Sequence, residues 1–170
     1  MKIFKYGVAA VVIASFTGMA HAQDQGAYGS VGITSYEFDI YGANAKLGYN
    51  FNKYFGVEAE GILGLTGETK NFGVNQIEFK TDYTIAAFAI ARLPLNEQLD
   101  LFARGGYHQT GVSLTTTGVL LLDGDFDGAA VGGGIQYNLS PKNGIRAEYT
   151  YLAGSFGNFD TVSIGYVHKF

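Results

Sequence analysis

Asp160–Phe170 reads DTVSIGYVHKF. Val162, Ile164, Tyr166, His168 and Phe170 take alternate positions and form one largely apolar face. Thr161, Ser163, Gly165, Val167 and Lys169 form the other. This is the period-two pattern of a strand with water or polar groups on one side and an apolar medium on the other. Such a strand can line the core of a soluble protein or face lipid, and the remaining sequence has to decide between the two.

The same alternation recurs upstream. Ala43, Ala45, Leu47, Tyr49 and Phe51 interleave with Gly42, Asn44, Lys46, Gly48 and Asn50. After a short turn, Asn52 to Tyr54, Phe55, Val57, Ala59, Gly61, Leu63 and Leu65 share a face opposite Glu58 and Glu60. A long polar connection is expected from Thr66 to about Asp82, and a strand follows with Tyr83, Ile85, Ala87, Ala89, Ala91 and Leu93 on one face and Phe88, Ile90 and Arg92 on the other. Pro94 to Gln98 reads as a turn, and Leu99 to His108 as the next strand. A second long connection is expected from Gln109 to about Asp127, with its apolar run Val119–Leu122 read as a strand extending above a membrane rather than a partner-binding edge. Ala129 to Leu139, Ile145 to Leu152 and a first strand around Tyr28 to Tyr36 bring the count to eight with the terminal one. Connections alternate short and long, and Pro94 and Pro141 fall in short turns, where they remove no ladder hydrogen bond.

At the other end, Lys2 and Lys5 precede an apolar run from Tyr6 to Phe16, and Ala20-His21-Ala22 follows. A charged start, a short apolar run and a small-x-small site read as a secretory signal peptide over residues 1–22, with a barrel domain over 23–170. The run falls short of the ~20 residues a spanning helix needs. The chain has no cysteine, which excludes disulfides and thiolate metal sites. Its net charge of −4 argues against a nucleic-acid partner. Gly is frequent at 25 residues, and only 15% of residues are charged, below the usual share for a soluble domain. Without another long apolar run, a mature chain integral to a membrane has to be a closed β-barrel, because lipid satisfies no free backbone hydrogen bond.

The apolar faces carry no Asp, Glu, Lys or Arg, whereas the opposite faces carry Lys46, Glu58, Glu60, Arg92, Asp100, Arg104, Arg146, Glu148 and Lys169. A soluble lipocalin-like barrel uses such faces with the apolar side inward. The inside-out version fits better here: Tyr and Phe gather at strand ends, as in membrane girdles, and the polar faces are rich in Gly, Asn and Thr. Pairing Phe51 with Phe55 sets Lys46 opposite Glu60, and pairing Leu93 with Leu99 sets Arg92 opposite Asp100. Glu58, Arg104, Arg146 and Glu148 are left to pair through a lumen that eight strands make just wide enough for side chains to fill. The fold expected is an all-β, eight-stranded antiparallel up-and-down transmembrane barrel with a plugged interior.

On these features the chain resembles the small eight-stranded outer-membrane barrel proteins of Gram-negative bacteria, the OmpA transmembrane-domain and OmpX-like group. Its end also resembles their C-terminal insertion signal through Gly165, Tyr166 and Phe170, with His168 where an apolar residue is more usual. The resemblance implies an outer-membrane location, contact with lipid and lipopolysaccharide, and assembly by the barrel-assembly machinery through the last strand. It further implies a monomer without cofactors that acts through its outer loops in surface interaction, adhesion or envelope integrity, with a surface protein or host ligand as partner. A narrow channel or a conduit for small apolar molecules is the alternative.

Two further patterns bear on chemistry. Asp123-Gly124-Asp125-Phe126-Asp127-Gly128 opens like a calcium loop, but Gly134 stands at the twelfth position, where a bidentate Glu is needed. Asp123, Asp125 and Asp127 therefore read first as an acidic loop and second as a surface cation site. A lipid-modifying enzyme would need an oriented nucleophile beside His108 or His168, and Gln109-Thr110 and Lys169 do not match the His-Ser pair of outer-membrane deacylases.

Overall fold

The computed structural model describes residues 25–37, 40–72, 75–116, 119–154 and 157–170, with side chains left undescribed over 67–81 and 114–123. The expected signal segment lies outside the described residues. Nine strands run β1 Gly26–Tyr36, β2 Ile40–Asn50, β3 Phe55–Gly64, β4 Gly67–Phe72, β5 Asn75–Pro94, β6 Leu99–Thr116, β7 Val119–Asn138, β8 Asn143–Gly154 and β9 Gly157–Lys169. All pair antiparallel with their neighbours in a meander, and β9 pairs with β1 to close the sheet. β3 and β4 both pair with β5 and are two segments of one stave, so the barrel has eight. They are offset where the Leu65 and Thr66 amides both donate to Tyr41 O, at 2.8 and 3.2 Å.

The alternation dictates which side faces out. Ile33, Val131 and Ile164 are 56–59% exposed on the outside, while Lys46, Glu58 and Arg146 are 2–4% exposed within. Charged side chains are enclosed and branched aliphatics are displayed, the inverse of a soluble domain and the arrangement lipid requires. The strand facing hardest to assign by pattern, Tyr83–Leu93, puts Ile85 outward and Phe88 and Ile90 in the core. Tyr41, Tyr107 and Tyr149 form one exposed aromatic ring, and Phe51, Tyr54, Phe55, Tyr137, Tyr166 and Phe170 the other. From Leu99, which pairs with Tyr137, to Tyr107 is roughly 26 Å along the strand, or about 20 Å of height at a ~40° tilt. That height approaches the ~25 Å apolar band of such barrels.

The narrow lumen is filled by pairing bulk with glycine. Tyr28 lies opposite Gly48, Phe88 opposite Gly106, Arg104 opposite Gly132, Glu148 opposite Gly134 and Arg146 opposite Gly165. A Cβ on Gly48 would stand 2.2 Å from the Tyr28 ring, and one on Gly134 would stand 2.1 Å from Ala147 O. These glycines leave the space that the large inward side chains occupy.

Two expectations need correction. The segments Thr66–Asp82 and Gln109–Asp127 are not long irregular connections. The strands run through them as two hairpins, so that β4, β5, β6 and β7 form a four-stranded sheet beyond the barrel wall. Polar residues stand at consecutive positions in these segments, as in Glu68-Thr69-Lys70-Asn71 and Gln109-Thr110, which blurs the period-two contrast and with it the sequence signal for strand. Val119–Leu122 lies in this extension, paired to β6 with a bulge at Leu121.

The second correction concerns the Arg92–Asp100 pairing. Arg92 faces Phe102 and Asp100 faces Pro94, a register two residues away from the expected one. The turn is Leu95–Leu99 rather than Pro94–Gln98. The Leu95 amide donates to Leu99 O at 2.8 Å, and Asn96 Oδ1 accepts from the Gln98 and Leu99 amides at 2.8 Å each. Asn52 caps the Phe51–Phe55 turn the same way, through the Tyr54 and Phe55 amides, and Ser140 Oγ accepts from the Asn143 amide at 3.1 Å in the third. One turn design with Asn or Ser at its second position thus recurs at all three short connections. A two-residue shift preserves the alternation of faces.

Candidate functional site

Six ionic side chains from four strands meet across the lumen. Glu58 and Glu60 come from β3, Lys46 from β2, Arg104 from β6, and Arg146 and Glu148 from β8. Lys46 faces Glu60 across the first hairpin, with Nζ 3.3 Å from Oε1, and it also reaches over the lumen to Glu148. Arg104 touches all three carboxylates: Glu58 at 3.1 Å, Glu60 at 2.8 Å and Glu148 at 3.2 Å. Arg146 holds Glu58 at 2.6 Å, and Tyr28 donates to the same carboxylate at 2.7 Å. Arg146 Nε lies 2.8 Å from Glu148 Oε2 on its own strand, off-line for a hydrogen bond, so that contact is electrostatic only. Three acids and three bases leave the cluster neutral, which a low-dielectric interior requires.

The guanidinium planes are also supported from the side. Arg104 stacks 4.1 Å above Phe88 and Arg146 stacks 4.0 Å above Phe102. Cation–π attraction is strongest where both partners are desolvated, as here. Thr150 Oγ1 accepts from Arg104 Nη2 at 2.6 Å.

Arg92 and Asp100 lie nearer the inner rim. Arg92 donates to Asn50 Oδ1 and sits 4.9 Å over the Tyr28 ring, and Asp100 accepts from Asn138 Nδ2 at 3.0 Å. They help line a cavity of about 770 Å³ that opens among the short turns. Toward the other end the lumen is hydroxyl-bonded and apolar. Tyr36 Oη, Thr84 and Thr110 are linked at 2.9 Å per step, His108 bonds Thr110 and Ala153 O at 3.1 Å each, and Phe126 packs on Phe159 with centroids 5.2 Å apart.

Of the acidic run, Asp125 and Asp127 are exposed and accept hydrogen bonds from Tyr83 and Tyr107, while the Asp123 side chain lies outside the described residues. Among the described residues no group of three or more His, Asp or Glu could hold a metal ion. His168 bonds Asn143 Oδ1 at 2.8 Å, edge-on to Phe170. Phe170 is 73% exposed and its amide donates to Ala27 O at 3.1 Å, Tyr166 faces outward, and Gly165 pairs with Gly32 where β9 meets β1.

The sequence signalled which side chains enter the lumen, the pairing of Lys46 with Glu60, and that Glu58, Arg104, Arg146 and Glu148 pair through the lumen, but not which of these meet. Hairpin register predicts contacts between neighbouring strands, and here Lys46–Glu148, Arg104–Glu58 and Arg146–Glu58 join strands that do not pair with each other. The alternation of glycine with bulk across each strand pair was the available clue to how tightly they meet.

A closed antiparallel barrel with aliphatics outward, two aromatic rings and a neutral ionic core is an integral outer-membrane barrel. The chain belongs to the outer membrane protein beta-barrel domain family, whose model matches residues 8–170, and the protein resides in the bacterial outer membrane. No curated protein matches it in sequence. Among solved structures it is similar to Ail, the attachment invasion locus protein of Yersinia pestis, with 21% identity over 88% of this chain and 100% of that one and a TM-score of 0.65. It is similar to the N-terminal barrel domain of Pseudomonas aeruginosa OprF at 13% identity, covering 86% and 99%, with a TM-score of 0.66. It is also similar to Pseudomonas aeruginosa OprG at 13% identity, covering 88% and 99%, with a TM-score of 0.60. At such identities these likenesses concern the fold. Ail has also been solved with the heparin analogue sucrose octasulfate.

Proposed function

We propose that this barrel acts at the cell surface through its outward sheet and connections, in surface interaction and adhesion or in envelope integrity, and that its lumen is closed. The observation that carries this reading is the six-residue ionic cluster. It ties β2 and β3 to β6 and β8 through the middle of the lumen, in a barrel already narrow enough for side chains to fill. The cavity at the inner rim supports the alternative, a narrow conduit.

The ligand class differs from the one seen with Ail. Short turns of outer-membrane barrels face the periplasm and longer loops face out, and the outward segments here carry Glu37, Asp39, Glu68, Glu78, Asp82, Asp123, Asp125, Asp127 and Asp160 against Lys70 and Lys80. That excess of carboxylates repels a sulfated polyanion. Both His108 ring nitrogens are already engaged, by Thr110 and by a backbone carbonyl, which supports a non-enzymatic role.

Adhesion of bacteria displaying the barrel tests this. Shortening both hairpins within 67–81 and 113–124 abolishes adhesion while the heat-modifiable folded band persists on gels. Undiminished adhesion of the shortened barrel contradicts the proposal, as does a change in lipid A acylation that depends on His108.

Insertion through the last strand is a further part of this proposal. Deleting Phe170 reduces folded barrel in the outer membrane severalfold, whereas Asp123→Asn leaves it unchanged. Membrane fractionation with quantitative blotting reads this out, and equal yields for wild type and the deletion contradict it.

A further inference from the structure

The wall of the barrel is uneven. β7 pairs with β6 along its whole outward length, from Tyr107–Ala129 to Thr116–Val119, but on its other side β8 joins only at Ala130–Leu152. Among the described residues, Val119–Asp127 has no strand on that side. Val119 lies about 33 Å along the strand from Ala129 at the outer aromatic ring, so this edge rises from that ring away from the bilayer. An open strand edge is a template for another strand.

This edge is held in place. Phe126 is buried in the barrel mouth against Phe159 and edge-on to His108. On the outward face, Tyr83 donates to Asp125 at 2.9 Å and Tyr107 donates to Asp127. A preformed strand binds without the ordering cost of a loop.

Charge selects the occupant. Alternation places Asp125 and Asp127 on one face of the edge. A second copy pairing antiparallel here sets carboxylate against carboxylate, which is destabilising. A basic strand sets ammonium or guanidinium groups there instead.

We propose that the outward edge of β7, Val119–Asp127, docks an extended basic polypeptide segment, which adds to the sheet by backbone pairing and sets alternate Lys or Arg side chains against Asp125 and Asp127. This deepens the surface-interaction reading and rests on it.

The test uses the full barrel in phosphatidylcholine nanodiscs and a fluorescent peptide of alternating Lys and Val, followed by anisotropy. The peptide binds, and binding weakens with salt. The double Asp125→Asn, Asp127→Asn variant binds about fivefold more weakly, the summed effect of two exposed charge pairs, and the corresponding double Glu variant retains binding. A peptide of the same charge with alternate backbone amides N-methylated loses binding, because it cannot complete the ladder. Equal binding by the N-methylated peptide overturns strand addition, and equal binding by the double Asn variant overturns charge selection. Adhesion separates this from the broader reading: a double Asn barrel that adheres like wild type overturns the docking edge alone, and a wild-type barrel that does not adhere overturns the surface role itself.

Discussion

Replacing Arg104 with Met lowers the unfolding free energy of the barrel in lipid vesicles by roughly 3–5 kcal/mol, the loss that follows when one member of a buried ionic group is removed. Arg104 is the hub of the cluster, within 3.2 Å of Glu58, Glu60 and Glu148. Met keeps much of the bulk over Phe88 but leaves three carboxylates facing Lys46 and Arg146 alone. Arg104→Lys keeps the charge and loses the planar fork that reaches three partners at once, so its loss falls between wild type and Met. Lys142→Met, at an exposed turn, stays within about 0.5 kcal/mol and serves as the control. Urea unfolding followed by tyrosine fluorescence measures all three. An Arg104→Met barrel as stable as the control variant shows that the cluster does not hold the lumen.

Exchanging Lys46 and Glu60 is the second large effect, and the cluster reverses the outcome that hairpin register alone predicts. As an isolated cross-strand pair, the Lys46→Glu, Glu60→Lys double change should recover most of what each single change loses. In the structure Lys46 also contacts Glu148, and Glu60 also contacts Arg104. The exchange therefore sets a new carboxylate beside Glu148 and a new ammonium beside Arg104. Like charges confined in a lumen cannot separate into water, and each single change and the exchange alike keep one of these three contacts and turn two into repulsions, so the exchanged barrel recovers little of what either single change loses. Adding Glu148→Gln removes one of the two repulsions and raises stability relative to the double change. The same urea titration reads this out, and a double change close to wild type would reduce the network to independent pairs.

These two predictions mark where the sequence stopped being legible. The alternation of Val162, Ile164 and Tyr166 with Thr161, Ser163 and Gly165, repeated in eight segments, carried the fold because lipid imposes a hard contrast between faces. Lys46 opposite Glu60 followed from the three-residue turn after Phe51. Arg92 opposite Asp100 did not, because Pro94 suggests a turn one residue early, whereas the Asn96 cap, the counterpart of Asn52, sets it at Leu95–Leu99. The outward hairpins carried little contrast, since polar residues stand at consecutive positions there, as in Glu68-Thr69-Lys70-Asn71. Contacts through the lumen, such as Arg146 with Glu58, depend on how the whole sheet curls, which no local window contains.

The central claim is that side chains close the lumen and leave the outward sheet to act. Single-channel recording of the purified wild-type barrel in planar lipid bilayers addresses it most directly. A closed lumen predicts a flat baseline across applied voltages, with brief openings only in variants such as Arg104→Met that break the cluster. A steady open state in the wild-type protein would contradict it.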